Sequence, residues 1–286
     1  MRRWERKSAL VLLLSFGIAI LVWSQMGMYM AHLLFGVDVK VNVFKFCISL
    51  FHEHTTYYFL MITLLNALIA YSFLVTLIKL AQQFISSRRL KVRLLAIRDI
   101  KLTAAIIESF EPVNQNLIVI SHPQAVAFTV GLRNPLIVLS SALIETLSRD
   151  ELDAVIQHET FHQSHYDTAK IFMLQLAAQS LWFVPLSRWS LKNYKIMSEL
   201  MADEYAITKT GSELGLGSAL VKLIKNAFSD NPTPVLAHFN DGVVNYRLQQ
   251  LVEPQDGIPV KLNIVSIVIS VQVLLLFMGM IVLAVT

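Results

Sequence analysis

Between Lys7 and Asp38 the chain carries no Asp, Glu, Lys or Arg, and Ser8 to about Met30 is almost wholly apolar. Such a run is long enough to cross a bilayer, whose hydrocarbon core needs about 20 apolar residues of helix. It exceeds the ~7–15 residue apolar core of a signal peptide and no A-x-A-like site follows, so it reads as an uncleaved anchor. Tyr57 to Ile78 is a second such run, broken only by Asn66, with tyrosines at one end and Lys79 at the other. Leu262 to Val285 is a third. Arg2, Arg3, Arg6 and Lys7 precede the first run, and Arg88, Arg89, Lys91 and Arg93 follow the second. The excess of positive charge predicts that both flanks are cytoplasmic and the Val37 connector external, with the N-terminus inside and the C-terminus outside.

Composition agrees with that reading, at 55% hydrophobic and 15% charged against about 25% charged in soluble domains. The net charge of +4 forms no dense basic patch, which argues against direct nucleic-acid binding. Cys47 is the single cysteine, excluding internal disulfides and a cysteine-built metal site. The connector also holds an alternating segment, Val37 to Phe46, read as strand or extended loop, and His52-Glu53-His54, read as an interfacial polar cluster.

Residues 81–261 have ordinary soluble character. Leu117–Ser121, Ala125–Gly131 and Pro135–Ser140 read as short strands separated by turn signals. Ser148-Arg-Asp-Glu151 is a capping-box pattern opening a helix whose apolar face carries Leu152, Val155 and Ile156. That helix reaches His158-Glu159-Thr160-Phe161-His162. On a helix the two histidines stand one turn apart on one face and can share a tetrahedral zinc ion. Glu159 beside them can take a proton from a water that such an ion activates. By chance the pattern is expected in roughly one chain in a hundred of this composition.

A catalytic zinc takes three protein ligands. Lys195 to Ile207 reads as a helix with Glu199 and Asp203 at i and i+4, so one carboxylate can bind the ion and the other orient a histidine. His165 is the rival, but it lies about 10 Å along the helix from His158, too far for bonds near 2 Å. Sharing an ion also constrains Ile171 to Trp189. One crossing would put His158 and Glu199 on opposite sides, and nineteen residues cannot make two. We read a core or membrane-surface helix ending near Pro185. The strand at Ala127, Phe128 and Thr129 can offer its edge to an extended peptide.

The motif His158-Glu-Thr-Phe-His162 with Asp167, Trp182-Phe-Val-Pro185 and Glu199-Leu-Met-Ala-Asp203-Glu204 resembles the BlaR/MecR-type membrane metallopeptidases, which are gluzincins. The block Ala127-Phe-Thr-Val-Gly…Asn134-Pro-Leu-Ile-Val-Leu-Ser is also similar to that family, and the likeness runs from about Gln115 to Glu204. It implies one zinc ion on His158, His162 and Glu199, with Glu159 as general base. Asp203 and Asp167 would hold the ligating histidines, and His238 and Arg247 are candidate oxyanion donors. It implies a multi-pass protein of the bacterial plasma membrane with a protein or peptide substrate, such as a winged-helix transcriptional repressor. HtpX-type and CAAX-processing proteases share the zinc pattern and form the alternative, as processing or quality-control peptidases. A zinc-binding receptor or scaffold without turnover is a third reading.

The expected architecture is therefore a mainly α membrane protein with about three transmembrane helices and a cytoplasmic α+β gluzincin-like zinc metallopeptidase domain. Its expected parts are a membrane region at 1–80 (spans about 8–30 and 57–78), the peptidase domain at 81–261 and a last span at 262–286. No penicillin-binding sensor domain is expected after that span.

Overall fold

The computed structural model describes residues 2–37, 45, 48, 55–110, 116–229, 242–254, 257, 260–261 and 263–285. Most of the connector between the first two apolar runs lies outside these residues, including Cys47 and His52-Glu53-His54. The elements in order are α1 (Arg2–Phe35), α2 (Thr56–Ala96), α3 (Ile100–Ser109), β1 (Leu117–Ile120), β2 (Ala127–Val130), β3 (Leu136–Ser140), α4 (Ser141–Thr146), α5 (Arg149–His165), α6 (Asp167–Ser180), α7 (Pro185–Thr210), α8 (Glu213–Ser229), α9 (Val243–Val252) and α10 (Ile264–Val285).

Two of these helices, at Trp4–Phe35 and Thr56–Ala96, are long and apolar enough to cross a membrane. The first ends where Gly36 takes φ 66° and its N–H bonds the His32 carbonyl at 3.0 Å, the left-handed stop that favours glycine. The second does not end at Lys79. It continues for 17 residues as a basic helix, because Lys, Arg, Leu and Gln all favour the helical state.

The chain folds as two compact units. One comprises Met1–Ala9, Gln83–Phe172 and Asn193–Pro259. Its sheet has the order β1-β3-β2, with β1 parallel and β2 antiparallel to β3. The central strand β3 is nearly all buried because both faces of the sheet are covered. One face packs Leu117, Val119, Ile137 and Leu139 against Leu152, Val155 and Ile156 of α5. The other packs Ile118, Ile120 and Val138 with Leu94, Phe128 and Val130. Each such side chain, fully buried, contributes about 1.5–3 kcal/mol. The β2–β3 turn requires Gly131, whose φ is 113° and whose added Cβ would lie 2.9 Å from the Asn134 carbonyl oxygen.

The other unit comprises Leu10–Gln82, Met173–Lys192 and Val260–Thr286. Its core joins Ile18, Val22, Met26 and Tyr29 of α1 and Leu65 and Ile69 of α2 to Ala177, Leu181, Val184 and Leu186. The helix expected to run to Pro185 stops at Ser180, and Pro185 instead opens α7. Proline suits that first position, since its missing N–H would have no helical partner there. Residues 171–189 therefore form a helix–turn–helix rather than one helix.

Candidate metal centre

The helix that carries the two histidines is fixed at its start and along its flank. Ser148 accepts from the Glu151 N–H, and Glu151 accepts from the Ser148 N–H at 2.7 Å, completing the expected capping box. Lys222 and Ser218 of α8 also donate to Glu151, holding its carboxyl down at about 2 against the cost of burial. At the far end Gln163 donates to the Asn116 and Pro135 carbonyls at 3.0 and 2.9 Å, tying α5 to the sheet. Ala154 of α5 and Ala206 of α7, both without exposed surface, share a small cluster with Leu216.

Along this helix His158 and His162 turn their Nε2 atoms to within 3.1 Å of each other. Glu199 of α7 brings Oε2 to 3.3 Å from His158 Nε2 and Oε1 to 3.4 Å from His162 Nε2. Ligand atoms around a tetrahedral zinc with bonds near 2.0–2.1 Å are about 3.3 Å apart, so these separations fit one ion. Among the described residues these three form the group that can hold a metal. His165 is not part of it. Its ring stacks on Phe161 at 3.9 Å and its Nδ1 lies 3.0 Å from the Phe161 carbonyl.

Each histidine is backed by a carboxylate. His158 Nδ1 lies 2.9 Å from Asp203 Oδ1, and His162 Nδ1 lies 2.9 Å from Asp167 Oδ2. A carboxylate only accepts, so both rings carry hydrogen on Nδ1 and aim Nε2 at the shared centre. Asp167 reaches back because Tyr166, at φ 54° and ψ 37°, ends α5 in the left-handed conformation. Behind Asp167 the buried Tyr194 hydroxyl donates at 2.7 Å. Behind Asp203 stands Arg247 of α9, donating from Nε at 2.8 Å and Nη2 at 2.6 Å. Its Nη1 lies 3.2 Å from Glu199 Oε2.

The electrostatics suit a bound cation. Burial and Arg247 both disfavour a charged His158, yet Asp203 and Glu199 outweigh them and hold its imidazolium up to about 9. Burial likewise opposes charge on Glu199, but His162, His158 and Arg247 keep its carboxyl well below the usual range. The cluster thus binds protons where a divalent ion would neutralise the same carboxylates.

Glu159 lies beside this group and takes a hydrogen bond on Oε2 from Thr129 Oγ1 at 2.8 Å. Thr129 sits on β2, one of the two outer strands of the described sheet. Ala127 packs on the α5 side of the sheet with Thr129, whereas Phe128 packs in the cluster on the opposite face, following strand alternation. The structure therefore brings together His158, Glu159, His162, Asp167, Glu199, Asp203, Arg247 and Thr129. His238 lies outside the described residues. Tyr194 and the bond from Thr129 to Glu159 escape sequence reasoning, because a lone tyrosine or threonine carries no spacing signal.

The chain matches the family described as BlaR1 peptidase M56 over residues 49–251. It is also similar to a curated protein named Protease HtpX homolog from Helicobacter acinonychis (strain Sheeba), 34% identical over 143 residues and 46% of each chain. Another of that name, from Helicobacter pylori (strain Shi470), is 52% identical over 60 residues, 20% of this chain and 18% of that protein. The chain thus spans less than half the length of these relatives. No solved structure matches. The family match covers well over half of the chain and contains the two histidines, Glu159, Glu199, Asp203 and Arg247, so this protein belongs to the BlaR1 peptidase M56 family.

Proposed function

We propose that the protein is an integral membrane zinc endopeptidase that hydrolyses peptide bonds on the cytoplasmic side, by self-cleavage or by cutting a transcriptional repressor in signal transduction. The observation that carries this reading is the convergence of His158 Nε2, His162 Nε2 and the Glu199 carboxylate at 3.1–3.4 Å, with Glu159 alongside. A zinc ion held there supplies Lewis-acid polarisation of a carbonyl and lowers the pKa of water. Glu159 is the proton acceptor, with the Thr129 hydroxyl fixing one of its oxygens and leaving the other available. Asp203 and Asp167 hold the two imidazoles in the ligating tautomer. Arg247 keeps Asp203 and Glu199 charged and in place, with Nε, Nη1 and Nη2 each directed at those carboxylates. The edge of β2 offers backbone groups to an extended peptide.

The 22 residues of α10 amount to about 33 Å of helix, enough for a third span beside α1 and α2. Basic residues in the first turns of α1 and along the second half of α2 support a cytoplasmic N-terminus and metal centre by the positive-inside rule.

A second reading, a processing or quality-control protease of the HtpX type, draws on the name shared by the curated relatives. Glu159→Gln in purified, zinc-quantified protein tests the shared chemistry. Peptide cleavage should fall by about 10²–10⁴-fold with zinc retained. Equal cleavage by both proteins would remove Glu159 as the base, and no cleavage by either with zinc bound would leave a zinc-binding scaffold. Incubating active protein with a winged-helix repressor and with a misfolded membrane protein then separates signalling from quality control.

A further inference from the structure

Residues 171–187 hold no Asp, Glu, Lys or Arg and are bounded by Lys170 and Arg188. They are too few for two crossings of about 20 residues each. In the structure they form the two arms and the tip of a hairpin, with α6 ending at Ser180 and α7 starting at Pro185. We propose that Met173–Lys192 is a re-entrant membrane hairpin, which enters the bilayer, turns at residues 181–184 among lipid acyl chains and leaves by the face it entered.

The first support is how the broken backbone is satisfied. Helix ends leave carbonyls and N–H groups without helical partners, which water satisfies at an aqueous surface. Here two of these groups find partners in serines of the neighbouring apolar helices. Ser72 of α2 donates to the Ser180 carbonyl at 3.1 Å, and Ser270 of α10 accepts from the Leu186 N–H at 3.1 Å. Both serines are 1% exposed. Within the turn the Val184 N–H bonds the Leu181 carbonyl at 2.9 Å. Internal satisfaction of interrupted helices is what a medium without water requires.

A second support is the distribution of polarity. Ser180, Ser187 and Ser190 are buried, whereas Trp182 at the tip is 49% exposed and Met173 is 40% exposed. The polar side chains that stay exposed, Gln175, Arg188 and Lys192, lie on the arms about 9, 6 and 12 Å from the turn by helical rise. An element bathed in water would show the reverse order at its tip.

Depth is the third. Trp182 shares an open apolar groove of about 470 Å³ with Leu64, Leu68 and Tyr71 of α2. Those residues lie 8–15 positions before Lys79, or about 12–22 Å along the helix, near the middle of a core about 30 Å thick. The arm from Lys170 to Leu181 is about 16 Å long, which reaches that level and no further. The groove at this depth takes a lipid acyl chain. This inference concerns the fold of the segment and stands whether or not the metal centre cleaves peptides.

The test uses full-length protein in liposomes with Cys47→Ser as background. Trp182→Cys, Leu74→Cys on the exposed face of α2 and Arg149→Cys at the start of α5 are each spin-labelled. Collision with oxygen relative to a water-soluble nickel chelate is then measured. The ratio at position 182 should be within twofold of that at 74 and about tenfold above that at 149. A value matching position 149 would overturn the proposal. Arg149→Cys and Lys209→Cys should react with an impermeant maleimide from the same side; labelling from opposite sides would instead make the segment a full crossing and overturn it. If Trp182→Cys does not fold, wild type and Trp182→Phe are compared in lipids brominated at mid-chain. Greater quenching in wild type supports insertion, and no difference overturns it.

Discussion

The two histidines of the metal centre stand on one helix and face one point, yet they are held by different means. Behind His158 the sequence of contacts is Asp203 and then Arg247, a full positive charge with two bonds to the carboxylate. Behind His162 it is Asp167 and then Tyr194, a neutral hydroxyl giving a single bond. The His162 side is set largely by local chain geometry, since Asp167 follows its histidine by five residues across the Tyr166 turn. The His158 side depends on α9, whose Arg247 lies 89 residues from His158. One branch is built by a turn and the other by tertiary docking, and the docked branch carries the larger electrostatic stake. Asp203 is only 6% exposed, so its charge has no solvent to fall back on.

Removing Arg247 should therefore do the most damage. Arg247→Leu leaves Asp203 buried without its cation, at a cost of about 3–5 kcal/mol. Zinc affinity should drop about 10–100-fold, as when other groups that orient ligands are lost. Chelator competition and denaturation in detergent measure the two effects. Arg247→Lys should restore less than half of the loss, because a point charge cannot reach Asp203 through two bonds and Glu199 as well. Affinity within twofold of wild type in Arg247→Leu would erase the proposed asymmetry.

The same asymmetry has a pH signature. In metal-free protein His158 is raised from 6.5 to about 9, so its contribution is fully present below 6.5 and is lost as pH rises through 9. That contribution is about 3 kcal/mol. Zinc takes the place of the Nε2 proton, so affinity should climb about tenfold per pH unit up to about pH 9. Asp203→Asn should flatten much of this slope; an unchanged slope would show that the proton sits elsewhere.

On the His162 side the expected effect is smaller. Tyr194→Phe removes one bond to Asp167 while Lys170 remains 3.9 Å away, a loss of about 1–2 kcal/mol. Zinc affinity should fall less than tenfold by chelator competition. A loss equal to that of Arg247→Leu would mean that the two branches are equivalent.

What the sequence made legible follows the same division. The spacing His158 to His162, the Ser148 capping box and the Glu199–Asp203 pair are local patterns, and helical periodicity alone places them on common faces. Arg247 entered through family resemblance, since no spacing links a helix after residue 242 to one that ends at 165. Tyr194 gave no signal and Thr129 was read only as part of a strand edge, because each acts through one hydroxyl on a residue at least 27 positions away. The hairpin was half legible. A shared ion excluded one crossing and chain length excluded two, but apolar residues continue through 181–184 and hid the turn, and Pro185 reads equally as a stop or a start. Basic residues after Lys79 pointed to a membrane boundary and were silent about helix continuity, so the run of α2 on to Ala96 was not legible from them.

The smallest predicted effect decides whether Tyr166 matters for its ring or its backbone. A non-glycine residue in the left-handed region costs about 1 kcal/mol or more, and this one buries little, being 50% exposed. Tyr166→Gly relieves that strain but adds freedom to the unfolded chain, so the two changes nearly cancel and stability should stay within about 0.5 kcal/mol. Because the turn keeps its direction, Asp167 still meets His162 and zinc affinity should be unchanged. Tyr166→Val should behave differently, since a β-branched residue is a genuine outlier at φ 54° and would pull Asp167 away. Zinc affinity that falls equally in the valine and glycine variants would show that the tyrosine ring, rather than the turn, holds the His162 branch.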